Sequence, residues 1–235
     1  MIAGNDCIDQ IKDFDTAISF FKRALSFNKT NGELFLDIGM CYLKLKDLEN
    51  AEKMLENTII IDKNNLKALH ELGLIYLNKK NYSLAIEFLE KVKQSETGDF
   101  NLLSNLALAY SMTGNNSTAI TYYEQILTSY APPVNSGGEV VPEHRGFLNT
   151  NKVWLNLAKL YEKVGDFSQA RGCYFNFLKN ENNVSYDIEI KIAELEFNLK
   201  NYDKALEEFN RLYELTKNDD LLAKIGKTYF QLNNP

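Results

Sequence analysis

Few side chains in this sequence have the type and spacing needed for catalysis or for binding a metal ion. The chain has 235 residues, with two histidines, His70 and His144, and three cysteines, Cys7, Cys41 and Cys173. None of them pairs at the short spacings that zinc sites use. The sequence also lacks the motifs of serine hydrolases, phosphate-binding loops and zinc proteases. We therefore expect no catalytic residue, no metal site and no cofactor, and we predict that the protein is not an enzyme.

The composition argues against two further classes of protein. Acidic residues outnumber basic residues and give a net charge of −6, whereas a surface that binds nucleic acid is normally basic. No run approaches the roughly 18 apolar residues that cross a bilayer, so we expect no membrane insertion. The first residues lack the basic and apolar regions of a signal peptide, and free thiols suit a reducing compartment. We expect an intracellular, cytoplasmic protein.

The sequence is organised by an internal repeat of 34 residues. Alanine marks it at Ala17, Ala51, Ala85 and Ala119, and after an insertion at Ala170 and Ala205. Apolar residues follow at three- and four-residue spacing, as at Ala85, Leu89 and Val92, which predicts an amphipathic helix. An Asp or Asn stands four residues before each alanine, where its side chain can accept a hydrogen bond from the first turn of that helix. These residues are Asp13, Asp47, Asn81, Asn115, Asp166 and Asn201.

In every repeat another amphipathic helix precedes the helix that carries the alanine; we call the preceding one the first helix of the repeat and the alanine-bearing one the second helix. In one repeat the apolar positions of this first helix are Leu69, Leu72 and Tyr76. Small residues stand twelve positions before the alanines, where they would let the two helices of a pair approach closely. They are Gly39, Gly73, Ala107, Ala158 and Ala193. The predicted unit is therefore a helix–turn–helix.

This pattern resembles the tetratricopeptide repeat (TPR) family, whose signature is W-x2-L-G-x2-Y, then A-x3-F, then P. Residues 69–76 read Leu-His-Glu-Leu-Gly-Leu-Ile-Tyr, and residues 154–161 read Trp-Leu-Asn-Leu-Ala-Lys-Leu-Tyr. The closing proline of the signature is missing throughout. The resemblance implies an all-α fold, a right-handed superhelical solenoid of about six helix–turn–helix repeats plus a terminal helix.

We predict that residues 1–235 form a single TPR array. Its repeats are partial at about 1–31, full at 32–65, 66–99, 100–133, 151–184 and 186–219, and partial at 220–235. Residues 131–150 form a Pro/Gly-rich insertion between repeats. We expect this insertion to be a surface loop, and the alternative is a recognition element that folds over the groove. Because the last helix stops where its partner helix should begin, we expect the chain to belong to a longer protein.

The resemblance also implies a function, which is that of a protein-interaction scaffold. Such a scaffold binds a peptide or a helix of a partner protein in its concave groove, within a multisubunit assembly. One alternative is a regulatory or substrate-recruiting TPR segment of a larger enzyme. Another is a TPR array that associates with itself.

Helical spacing from the small-residue column predicts which side chains line the groove. They are Leu36, Asp37, Met40, Leu43, His70, Glu71, Leu74, Leu77, Asn105, Leu108, Asn156 and Lys159. The first half of this set is apolar with acidic flanks, which favours a partner with apolar anchors. The alternative is that its Leu and Met side chains only pack between adjacent first helices. Asn105 and Asn156 resemble the asparagine ladder with which some TPR proteins hold a peptide backbone.

Overall fold

The computed structural model describes residues 13–95, 99–129, 150–180 and 185–233. Every regular element in these ranges is an α-helix. The helices are α1 (Phe14–Phe27), α2 (Gly32–Lys44), α3 (Leu48–Ile61), α4 (Leu66–Asn78), α5 (Tyr82–Ser95), α6 (Phe100–Met112), α7 (Asn116–Ser129), α8 (Thr150–Val164), α9 (Phe167–Asn180), α10 (Tyr186–Asn198), α11 (Tyr202–Thr216) and α12 (Asp220–Leu232). None of these described helices combines the length and the apolar character needed to cross a bilayer.

The chain divides into two compact units. Unit 1, Met1–Thr113, contains α1 to α6, and unit 2, Gly114–Pro235, contains α7 to α12. Within each unit, every helix packs against the next one in sequence. In unit 1, α4 also contacts α6, so two of the predicted first helices are neighbours. Apart from Thr150, which begins α8, the predicted insertion 131–150 lies outside the described residues, as does Cys7.

The predicted Asp and Asn caps are confirmed at five of their six positions. At the start of α3, for example, Asp47 accepts a hydrogen bond of 3.1 Å from the backbone N–H of Asn50. Four other caps make the same bond, namely Asp13, Asn81, Asn115 and Asp166. Asn201 is the exception, because its side-chain amide donates instead to Oε2 of Glu196 at 2.6 Å. Satisfying this buried carboxylate competes with capping the helix.

The alanine column lies where paired helices touch, as predicted. Five of its members are fully buried, and Ala17 on α1 is half-buried. The fully buried ones are Ala51, Ala85, Ala119, Ala170 and Ala205. The small-residue column has the predicted role as well. A Cβ atom added to Gly73 would lie 2.5 Å from Cδ2 and 2.6 Å from Cγ of Leu89 on α5, which is closer than real Cβ contacts come. Glycine at this position therefore sets the distance between α4 and α5.

Candidate functional site

Three apolar side chains of unit 1 stay accessible to solvent on successive first helices. Met40 on α2, Leu74 on α4 and Leu108 on α6 are 34 residues apart. Met40 and Leu74 are half-buried, and Leu108 is 42% exposed. Neither Met40 nor Leu74 belongs to the apolar cluster that joins α2 to α5. We call these three residues the unit 1 column.

The neighbouring leucines of the predicted groove have a different role. Leu36, Leu43 and Leu77 are half-buried and pack against the core cluster formed around Ala51, Leu55 and other fully buried side chains. The core of unit 1 therefore shields these three side chains partly from solvent. Leu43 and Leu77 each lie three residues after a member of the unit 1 column, about 60° away around the helix axis. The predicted groove thus contains apolar side chains that also join the core, besides those of the unit 1 column.

The predicted acidic residues beside the unit 1 column lie on α2 and α4. Asp37, one turn before Met40, is exposed, and Glu71 is half-buried beside His70. The His70 Nδ1 atom lies 3.7 Å from Oε1 of Glu71. Within the described ranges, no group of three or more His, Cys, Asp or Glu side chains is placed to hold a metal ion. The chemistry of this surface is thus apolar contact with negative charge beside it.

The two asparagines of the predicted ladder, Asn105 and Asn156, differ in their hydrogen bonds. Asn156 on α8 is half-buried, and its amide donates a hydrogen bond of 3.1 Å to the hydroxyl of Tyr123 on α7. Asn105 on α6 is also half-buried, but it makes no hydrogen bond with any other described residue. Lys159 on α8 is exposed. Of the two asparagines, Asn105 is the one whose amide is available to a ligand.

At three junctions between repeats, the same kind of hydrogen bond joins a second helix to the first helix that follows it. The hydroxyl of Tyr76 on α4 donates to Glu56 on α3 at 3.2 Å, and that of Tyr110 on α6 donates to Glu90 on α5 at 2.9 Å. In unit 2, Tyr161 on α8 donates to Glu124 on α7 at 2.5 Å. Sequence reasoning found the tyrosines but missed their partners. The signal was present, because the glutamates also recur every 34 residues, five positions after the alanines.

Burial and the neighbouring carboxylate both keep these tyrosines protonated. Together they raise the pKa of Tyr110 to about 12, and they raise the pKa of Tyr76 and of Tyr161 further. A phenol that stays protonated remains a hydrogen-bond donor at neutral pH. The contacts therefore fix how successive repeats pack.

At two junctions another pair of residues takes the place of tyrosine and glutamate. Between α1 and α2, the Lys22 ammonium donates to the Tyr42 hydroxyl at 2.9 Å. Between α9 and α10, the buried Glu196 stands where the other first helices named here carry tyrosine, nine residues before the alanine, and Arg171 donates to it at 2.8 Å. At this junction the carboxylate belongs to the first helix, α10, and not to the second helix, α9. A cation on the second helix compensates, since a buried carboxylate without a partner is strongly destabilising.

The two described cysteines are buried thiols without a disulfide partner. Burial is the main cause that raises the pKa of Cys173 to about 12 and the pKa of Cys41 above its ordinary value. Reactivity requires the thiolate, which such pKa values suppress at neutral pH. Both cysteines therefore act as small apolar side chains of the core.

Models of one protein family match along the chain, and all of them carry the description tetratricopeptide repeat. They match residues 12–73, 66–96, 102–133 and 155–220. A comparison with curated protein sequences gives no significant match.

Solved structures show the same fold at low sequence identity. YrrB, described as a TPR protein with an unusual peptide-binding site, is 15% identical with a TM-score of 0.65, over 88% of this chain and 97% of its own. MamA is 20% identical with a TM-score of 0.57, over 72% of this chain and 88% of its own. A structure of Naa15/Naa10 bound to HypK-THB reaches a TM-score of 0.65 at 15% identity, over 92% of this chain and 31% of that one. The predicted fold class, an all-α tetratricopeptide solenoid, is confirmed.

Proposed function

This chain belongs to the tetratricopeptide repeat family, and from that premise we propose that it is a protein-interaction scaffold that binds a peptide or a helix of a partner protein. The unit 1 column is the observation that carries this proposal. Its three side chains are apolar, accessible and aligned on first helices, although the leucines beside two of them pack into the core. Apolar side chains kept at a surface in repeat register suit a partner better than they suit folding.

The chemistry around the column indicates the kind of partner. Each apolar side chain that becomes fully buried contributes about 1.5–3 kcal/mol, so two or three anchors would supply a large favourable contribution toward the cost of association. Asp37 is exposed beside the column and Glu71 is half-buried there, which favours Lys or Arg next to the anchors of the partner. The available amide of Asn105 can both donate to and accept from a peptide backbone. The partner we propose is a segment with apolar anchors and basic flanks.

The similar structures support the proposal at the level of fold. YrrB is described as having a peptide-binding site, and the Naa15/Naa10 structure is an assembly of several proteins. A place within a multisubunit assembly is part of what we propose for this chain as well. The packing of α2, α4 and α6 supplies a framework on which such a segment can bind without large rearrangement.

Hydrogen exchange tests where the partner binds. The full chain is immobilised on a resin and exposed to a lysate of its source organism, and the retained proteins are identified by mass spectrometry. Amide hydrogen exchange of the full chain is then measured with and without the purified partner. We expect exchange to slow in α2, α4 and α6. Protection confined to the second helices, α3 and α5, would contradict the proposed surface, because those helices do not carry the column.

A further inference from the structure

A separate cavity of unit 2 has both aromatic and charged side chains in its walls. It lies among α10, α11 and α12 and has a volume of about 230 Å³. Its walls are formed by Glu194, Phe197, Asn198, Phe209, Lys224 and Lys227. Pockets for small molecules usually measure about 300–1,000 Å³, so this one suits a single apolar side chain of a larger ligand better.

The apolar part of the cavity is well fixed. Phe209 on α11 is 1% exposed and belongs to the core cluster that includes Ala193 and Ala205. Phe197 on α10 packs against that cluster, and its ring meets the ring of Tyr202 edge to face with centroids 5.2 Å apart. A side chain entering the cavity would therefore find a rigid aromatic surface, with little ordering left to do on binding.

The charged side chains around the cavity differ in whether they have a partner of opposite charge. Both oxygens of Glu194 are occupied, since Lys191 and Lys224 each lie 2.8 Å from this carboxylate. Burial opposes ionisation of Glu194, but these two hydrogen bonds outweigh it and lower its pKa, so the carboxylate stays charged and paired. The nearby Glu162 accepts a hydrogen bond from the hydroxyl of Tyr174. One lysine is left over, because Lys227 is exposed and makes no hydrogen bond or ion pair with any described residue.

An amide completes the rim. Asn198 ends α10 and is exposed, and its side chain makes no hydrogen bond with a described residue. A primary amide can donate to a carbonyl and accept from an N–H of the same extended peptide. The pocket thus combines an aromatic floor with a side-chain amide and a cation that no described residue pairs.

We propose that this pocket binds an extended segment of a partner protein in which an apolar side chain lies next to an Asp or Glu. The apolar side chain fills the cavity over Phe197, and the neighbouring carboxylate pairs with Lys227. Asn198 holds the backbone between the two. The site lies within unit 2 and does not depend on the unit 1 column, so either can fail without the other.

Three labelled heptapeptides test the chemistry directly. Each carries a leucine in the centre of a Gly/Ser background, with the flanking residues Asp-Leu-Asp, Asn-Leu-Asn or Lys-Leu-Lys. Binding to the full chain is followed by fluorescence anisotropy. We expect the acidic peptide to bind about two- to fivefold more tightly than the amide peptide, from one exposed ion pair with Lys227. Because the whole chain carries a net charge of −6, general electrostatics would produce the opposite order.

Two charge reversals locate the binding. Lys227→Glu should weaken binding of the acidic peptide about tenfold and leave the amide peptide nearly unaffected. Lys204→Glu is the matched control, since Lys204 on α11 is exposed, makes no ion pair with a described residue and lies outside the pocket. Asn198→Ala should weaken both the acidic and the amide peptide, because the amide acts on the backbone. Neither Lys227 nor Asn198 is buried, so these variants should fold.

The proposal is overturned by either of two results. One is equal affinity for the acidic, amide and lysine peptides. The other is an equal effect of Lys227→Glu and Lys204→Glu, which would show that binding responds to net charge and not to this pocket.

Discussion

The hydroxyl of Tyr110 on α6 donates a hydrogen bond of 2.9 Å to Oε1 of Glu90 on α5, and so ties a first helix to the second helix of the preceding repeat. Tyr110→Phe removes the hydroxyl and leaves a half-buried carboxylate with one donor fewer. We expect the free energy of unfolding to fall by about 1–2 kcal/mol, measured by urea denaturation. Tyr82→Phe is the control, because the Tyr82 hydroxyl makes no hydrogen bond with a described residue. Equal losses in the two variants would mean that the bond contributes nothing.

The same contacts make stability depend on alkaline pH. An unfolded tyrosine has a pKa of about 10, whereas burial and Glu90 raise the pKa of Tyr110 to about 12. Because the folded-state pKa is the higher one, the stabilisation is complete below pH 10 and is lost as the pH rises toward 12. The buried thiols of Cys41 and Cys173 titrate in both proteins. The difference in melting temperature between the wild type and Tyr110→Phe should therefore be level up to about pH 10, and the wild-type melting temperature should then fall more steeply. A fall of the same steepness in that variant would argue against this assignment.

Gly73 provides a test of the close approach between α4 and α5. In Gly73→Ala the new Cβ atom would overlap Leu89, a fully buried side chain, and we expect a net loss of about 1–2 kcal/mol despite the better helix propensity of alanine. Gly226→Ala on α12 is the matched control, since no heavy atom lies within 4 Å of its added Cβ. That variant should gain up to about 1 kcal/mol. Chemical denaturation of both proteins decides the matter, and a gain at both sites would show that the helices can separate freely.

Ala85 gives an independent test of the repeat register. Ala85→Leu adds volume at a position that is fully buried between helices, and should destabilise by roughly 1–3 kcal/mol. Ala24→Leu on α1 makes the same change at an exposed position and should have little effect. Thermal melting followed by circular dichroism compares the two. An unchanged melting temperature in Ala85→Leu would mean that the column does not mark the helix contact.

The sequence predicted the features that depend on local or periodic constraints. Capping by Asp47 and burial of Ala85 each follow from a residue's own type and its place in the repeat. The ion pair between Arg171 and Glu196 could not be predicted in this way. The two residues are 25 positions apart, and neither is the residue type that the other repeats carry at its position. A related reason explains why the sequence does not show which groove leucines also join the core. Helical periodicity places Leu74 and Leu77 on one face, but only their neighbours in space show that Leu77 packs into the core.

The scaffold function predicts that binding depends on the unit 1 column. The substitution that tests it is Leu74→Lys, because Leu74 is half-exposed, lies outside the core cluster and sits between Met40 and Leu108 in the column. Ile60→Lys is the matched control, since Ile60 on α3 is 72% exposed and belongs to a second helix. Circular dichroism must first show that both variants are folded. Loss of the fold in Leu74→Lys would place Leu74 in the core and would contradict the account.

The most direct measurement is the affinity of the wild type and both variants for the partner that the wild type captures, determined by isothermal titration calorimetry. Loss of one apolar anchor should weaken binding by Leu74→Lys at least tenfold, while Ile60→Lys should bind like the wild type. Equal affinity of all three folded proteins would contradict the claim that the unit 1 column is the partner site of this scaffold.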